Sequence, residues 1–262
     1  MNIIVCIKQV PGTTDIKIDP STGRLKREGV PSIINPEDKN AIQAALDLKG
    51  KGKVTVMTMG PPQAEDALRE ALAIGATEAV LLSDMKFAGS DTWATANILA
   101  AAVKKIGKFD LILCGREAID GNTAQVGPQL AENLGLPQIT YVQKIELDNG
   151  KVKVERELED GYEIVETELP VLLTVIKELN EPCYPSLNGI YEAFHKREIK
   201  VLTNKDLNVD EERIGLEASP TFVKKVFTPE PKGQGTMLEG SVKDIAKELI
   251  KKLKEKEIIQ KF

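Results

Sequence analysis

The chain has 262 residues, 42% of them apolar, enough to bury one large core or one core and a small satellite domain. Its net charge is only -5, and its acids and bases alternate without a Lys/Arg stripe, so little counterion-release free energy is on offer and nucleic acid is disfavoured as a partner. The first apolar run is too short for a signal segment or a membrane insertion, which reads as a cytoplasmic protein, and three cysteines (Cys6, Cys114, Cys183) without CxxC spacing suggest neither a disulfide framework nor a metal centre.

Residues 3–8 read as a buried strand. Residues 36–49 follow as a helix, with Asn35 as its cap and Pro36 at the first position, where a missing N–H costs nothing. Strand 54–59, helix 63–74 with a Gly75 stop, strand 79–83, helix 91–106, strand 109–114 and helix 123–134 ended by Gly135 continue the alternation. The pattern predicts an α/β fold with a doubly wound, mostly parallel sheet. Parallel strands need crossover helices, and a sheet covered on both faces gives unbroken apolar runs such as Leu111-Ile112-Leu113.

Two insertions, 15–30 and 143–168, read as antiparallel hairpin extensions, the second turning at 148–150 and 160–161, and 171–176 is one further buried strand. From 204 to 240 there is no sustained period. The helix 242–256 then carries Val242, Ile245, Ala246, Leu249, Ile250 and Leu253 on one stripe that must dock on something apolar. We therefore expect an α/β domain over 1–203 and a C-terminal arm over 204–262 that ends in a helix and packs on a partner; a tail folded back on its own domain is the alternative.

Ligands of open doubly wound sheets bind beyond the carboxyl ends of the strands, near the point where strand order reverses. After the strand ending at Cys114, Gly115 and Gly121 permit positive φ and close backbone approach, and Asn122 and Thr123 stand where a helix start would offer free N–H groups to a phosphate. A plain capped strand–turn–helix fits the same residues. A second polar helix start, Gly89 to Thr95, places Thr92 and Thr95 three apart on one face, with Ser90 or Asp91 as cap or ligand. Catalytic arrangements are weakly supported: His195 is the sole histidine and reads as a surface residue, and Glu37 with Asp38 read as helix-start charges.

Cys114-Gly115-Arg116-Glu117-Ala118-Ile119-Asp120-Gly121, with Thr123, Gln125 and Gly127, resembles the nucleotide signature of electron transfer flavoprotein β subunits. Asn35-Pro36, Met59-Gly60-Pro61 and Leu179-Asn180-Glu181-Pro182 followed by Tyr184 and Leu187 resemble its other landmarks in the same order, over essentially the whole chain. The resemblance implies a β subunit that pairs with an α subunit carrying the electron-transferring FAD. Its own nucleotide, AMP or FAD, would be held by Cys6 (through its backbone), Asn35, Pro36, Met59 and Gly115, Arg116, Glu117, Ala118, Ile119, Asp120, Gly121, Asn122, Thr123, Ala124, Gln125 and Val126. Residues 179–193 would form the recognition loop, with Leu187 as the apolar anchor on a dehydrogenase.

Asp91-Thr92-Trp93-Ala94-Thr95 looks like the D-T-x-A-T segment of electron-bifurcating members, which favours FAD over AMP here and gives Asp91, Thr92 and Thr95 the flavin side. The implied activity is oxidation of NADH, with one electron passing to ferredoxin or flavodoxin and the other, through the α-subunit FAD, to a flavin dehydrogenase. The subunit is not expected to catalyse anything alone. Cys183 stands where many conventional members carry a basic residue, so an acyl-CoA dehydrogenase and a 2-hydroxy-acid dehydrogenase both remain open as the partner. Two rivals are a conventional AMP-containing carrier and a stand-alone nucleotide sensor, which would have no use for the arm.

Overall fold

Alternate residues of the first strand serve opposite faces of one sheet: Ile3 and Val5 lie in one buried cluster, Ile4 and Cys6 in another. This double burial is why the strands carry no polar alternation. The computed structural model describes residues 1–12, 31–148, 150–224, 233 and 235–259, in two compact units, Met1–Lys225 and Val226–Phe262. The expected hairpin at 15–30 lies outside the described residues.

The first unit runs β1 (Ile3–Cys6), β2 (Gln9–Pro11), β3 (Ser32–Ile34), α1 (Pro36–Leu48), β4 (Val54–Met59), α2 (Glu65–Ile74), β5 (Glu78–Leu82), α3 (Thr92–Ile106), β6 (Leu111–Gly115) and α4 (Val126–Leu134). It continues with β7 (Gln138–Asp148), β8 (Lys151–Leu158), β9 (Gly161–Glu168), β10 (Val171–Val175), α5 (Leu187–His195), β11 (Ile199–Leu202), α6 (Asn204–Leu207) and α7 (Gly215–Ala218). Among the described residues the main sheet has the order β11-β5-β4-β1-β6-β10-β7-β8-β9. Its strands are parallel from β11 to β7; β8 and β9 extend it antiparallel, as the sequence predicts for 143–168. Helices α1 and α2 supply Ala41, Ile42, Leu68 and Ala71 to one face, and α3 and α4 supply Ile98, Val103 and Leu130 to the other. The fold is the expected α/β, mostly parallel, doubly wound architecture.

Three local readings differ. Helix α4 starts at Val126, not at 123, because Asn122 (φ 47) and Ala124 (φ 52) are left-handed and cannot propagate a helix. Asn35 precedes α1 but its side chain does not cap it; the carboxamide is engaged elsewhere. Residues 204–224 belong to the first compact unit, whose boundary falls at 225/226 where the sequence expectation placed one at 203/204. Ile214 is buried in the second cluster, and Arg213 and Asn97 exchange hydrogen bonds at 2.9 and 3.2 Å. Caps and paired side chains hold that stretch, so no hydrophobic period marks it.

In the second unit, α8 (Val242–Glu255) is capped by Ser241, whose hydroxyl accepts from the Asp244 amide. Among the described residues no helix is long and apolar enough to cross a membrane.

Candidate functional site

Strand β1 pairs with β4 on one side and β6 on the other, so the strand order reverses between β1 and β6, with Cys6 and Cys114 in register at the crevice. The start of α1 lies over this point. Asp38, 5% exposed, accepts from the Lys8 amide at 2.7 Å and from the Gly115 amide at 2.9 Å, joining the two strand ends. Burial pushes its carboxyl up to about 7 against the pull of those two N–H donors. Asp38 is thus no solvated helix-start charge; the sequence reading missed it because only the topology places α1 over the crevice.

Gly115 does not need a positive φ. Its requirement is space: a Cβ there would lie 2.5 Å from Asp38 Oδ1 and 2.9 Å from Glu37 Cβ. The next residues are fastened to α1 and β10. The Arg116 amide donates to the Val175 carbonyl, the Glu117 amide to Glu37 Oε2 at 3.2 Å, and the Arg116 guanidinium pairs with Glu37 and Glu117 at 3.2 and 2.9 Å. Asn35, fully buried, accepts from the Ile119 amide at 3.1 Å and donates to the Glu117 carbonyl at 2.9 Å. Asn35, Arg116 and Glu117 therefore shape the loop through their side chains.

Beyond this anchored segment the backbone opens. The amides of Gly121 and Asn122 both donate to the Ala118 carbonyl, and Asn122 and Ala124 take the left-handed conformations that Gly121 was expected to supply. Among the described residues the amides of Thr123, Ala124 and Gln125 donate to no protein acceptor, and the first amides of α4 follow them. An alanine at φ 52 costs about 1 kcal/mol, and such conformations persist where the surroundings impose them, often at ligand clamps. A run of unpaired amides leading into a helix start is an anion receptor. Gly127 lets α4 begin close to the sheet, since a Cβ there would lie 2.6 Å from Thr174 Cγ2 and 3.0 Å from Cys114 Sγ.

Beside the loop lies a cleft of about 540 Å³, within the range of small-ligand sites, lined by Lys8, Pro11, Met59, Gly60 and Asp120 among others. Lys8 Nζ meets Asp120 Oδ1 at 2.6 Å at its edge, a cation beside the open amides that the sequence reading did not single out. Cys6 and Cys114 are buried, and desolvation raises both thiols, as befits core residues.

The second polar helix start meets the loop. Thr92 Oγ1 donates to Gln125 Oε1 at 3.0 Å. Asp91 caps α3 by accepting from the Ala94 amide at 3.0 Å, and its other oxygen accepts from the Thr221 amide and hydroxyl at 3.0 and 2.7 Å. Those bonds hold its carboxyl below the usual range even though burial opposes them. Both Asp91 oxygens are thus engaged within the chain, whereas Thr95 stands half-buried one turn along the same face.

Residues 179–187 combine a fixed base with an exposed tip. Leu179 packs against the first core cluster, and Asn180 bonds Asn40. Glu181 is exposed and Pro182 half-buried, while Tyr184 and Leu187 are 94% and 88% exposed, beside the exposed Tyr191 and Phe194 of α5. His195 ends α5 with its ring 4.6 Å from that of Tyr191, at the surface.

Fold and site define a doubly wound α/β protein with an anion-ready loop at its strand switch point. The chain belongs to the electron transfer flavoprotein family, among its β subunits: the electron transfer flavoprotein domain matches residues 22–207, and relatives match along the whole length. It is 55% identical over 261 residues to the electron transfer flavoprotein subunit beta of Thermoanaerobacterium thermosaccharolyticum, covering 99% of this chain and 100% of that protein. It is 53% identical over 263 residues to the caffeyl-CoA reductase-Etf complex subunit CarD of Acetobacterium woodii, covering 99% and 100%. The acryloyl-CoA reductase electron transfer subunit gamma of Anaerotignum propionicum is 46% identical over 269 residues, again covering 99% and 100%.

Proposed function

We propose that this chain is the β subunit of an electron-bifurcating flavoprotein heterodimer, holding FAD between the loop 115–126 and the start of α3. The observation that carries the reading is the Thr92–Gln125 hydrogen bond, which makes the two polar segments one continuous wall. Such a wall suits a dinucleotide; AMP would need only the loop and its cleft.

The residues present fit the group. The open amides of Thr123, Ala124 and Gln125 and the start of α4 would bind its pyrophosphate, the cleft at Met59 would take the adenosine, and Thr92 and Thr95 would face the flavin side. Asp91 orients Thr92 and Thr95 as the cap of their helix. Bound there, FAD supplies two-electron oxidation of NADH and one-electron delivery, to ferredoxin or flavodoxin and to the α-subunit FAD. The chain's own part is to orient the cofactor and to present Tyr184 and Leu187 to a flavin dehydrogenase, of acyl-CoA type or another. Two relatives carry an acyl-CoA-type reductase in their names, which supports that class of partner. The second unit, residues 226–262 with α8, would pack on the α subunit. The second reading, a conventional carrier with structural AMP, leaves Thr92 and Thr95 without a ligand. Chromatography of the nucleotides released on denaturing the heterodimer tests the choice: FAD alone supports the proposal, and FAD with equimolar AMP rejects it.

A further inference from the structure

Helix α1 is tied by buried side chains to two separate loops. At its start Asn35 and Asp38 hold residues 115–119, as described. Half a turn beyond Asp38, Asn40, 4% exposed, donates through Nδ2 to the Asn180 carbonyl at 2.7 Å and to the Lys177 carbonyl at 3.3 Å. Asn180 Nδ2 donates back to the Asn40 carbonyl at 3.1 Å. Near the next turn, Gln43 Oε1 accepts from the Cys183 amide at 3.0 Å.

The neighbours of Asn40 on this helix are Ala41, Ile42, Ala44 and Ala45, all buried. A buried carboxamide is costly unless its hydrogen bonds are made, and an apolar residue of similar size often packs as stably. What the asparagine adds is direction: it fixes where the chain leaves β10 and hence where 180–187 stands.

We propose that Asn40 is a positioning residue that couples the nucleotide loop to the partner-docking loop, with α1 as the link between them. The inference rests on the reading of 115–126 as the nucleotide site and of 179–187 as the docking loop. A nucleotide that orders 120–126 steadies the segment 115–119 held by Asn35 and Asp38, and the same helix carries the Asn40–Asn180 pair. Linkage then requires the reverse: a dehydrogenase seated on the docking loop tightens nucleotide binding by the same factor.

Amide hydrogen exchange on the heterodimer tests this, with the nucleotide it co-purifies with either bound or stripped. In the wild type, loading should slow exchange both at 115–126 and at 177–187. In Asn40→Ala the first protection should persist while 177–187 exchanges roughly tenfold faster and no longer responds to nucleotide. Asn40→Leu removes every hydrogen bond that the carboxamide donates to Lys177 and Asn180 while filling its space, so it decides the matter if Asn40→Ala does not fold. Protection at 115–126 with no nucleotide response at 177–187 in the wild type would overturn the coupling alone, as would variants whose docking loop still responds. Absence of protection at 115–126 would overturn the site reading and the coupling with it.

Discussion

The Asp38 carboxylate accepts from the Gly115 amide at 2.9 Å, and the hydrogen of Gly115 faces the same oxygen where any other side chain would have to stand. The glycine is required by close approach of two backbones, not by conformation. Gly121, a few residues on, would place a Cβ within 4 Å of no heavy atom of the described residues outside its immediate neighbours.

These two glycines should therefore respond oppositely to substitution. Gly115→Ala overpacks a buried junction and should cost about 1–3 kcal/mol of stability, several degrees in Tm. Gly121→Val should leave the Tm of the nucleotide-free protein within about 2 °C of the wild type yet release the β-site nucleotide, because only the ligand meets the added methyls. Thermal melts and nucleotide content of the two variants check both halves.

Asp38 also predicts a pH dependence. Its folded carboxyl titrates at about 7, above the ordinary value of 3.8, so the folded state holds a proton that the unfolded chain has lost. Below about pH 4 both states are protonated and no penalty applies; stability falls as pH rises between about 4 and 7, and the full penalty stands above that. Partly buried Glu37, also raised chiefly by desolvation, acts in the same direction. Asp38→Asn should flatten much of this slope in urea melts taken from pH 4.5 to 7.5. A wild-type slope unchanged by the substitution would assign the dependence to other groups.

Thr92→Val keeps the side-chain shape and removes the hydroxyl that reaches Gln125. Tm should be nearly unchanged, and the dissociation constant of the β-site nucleotide should rise about tenfold, the scale of one polar contact. Equal affinity in variant and wild type would remove the α3 start from the site.

Leu187 is 88% exposed, so Leu187→Ala should not alter stability. As an anchor it should raise KM for the partner dehydrogenase about tenfold or more while changing kcat little. Steady-state assays at varied concentrations of the flavoprotein separate the two parameters.

The strands and most helices were legible because burial on both sheet faces writes itself as apolar runs, and Gly75 and Gly135 end their helices as expected. The loop was legible in place but not in detail. Asn122 and Ala124 supply the left-handed turns that its glycines were expected to make, and nothing in an alanine's chemistry announces that conformation. Asp38 and Glu37 look like ordinary first-turn acids until the sheet order puts α1 over the β1–β6 crevice. Residues 204–224 escaped for a different reason. Their attachment runs through Arg213, Ser219 and Thr221, single hydrogen-bonding side chains that leave no period to read.

A flavin in the β site that exchanges electrons with NADH can be read out by anaerobic titration of the purified heterodimer with NADH, followed at the flavin absorbance. Two FAD per heterodimer and bleaching by stoichiometric NADH, lost in Gly121→Val, are the expected result. One FAD, one AMP and no response to NADH would contradict it.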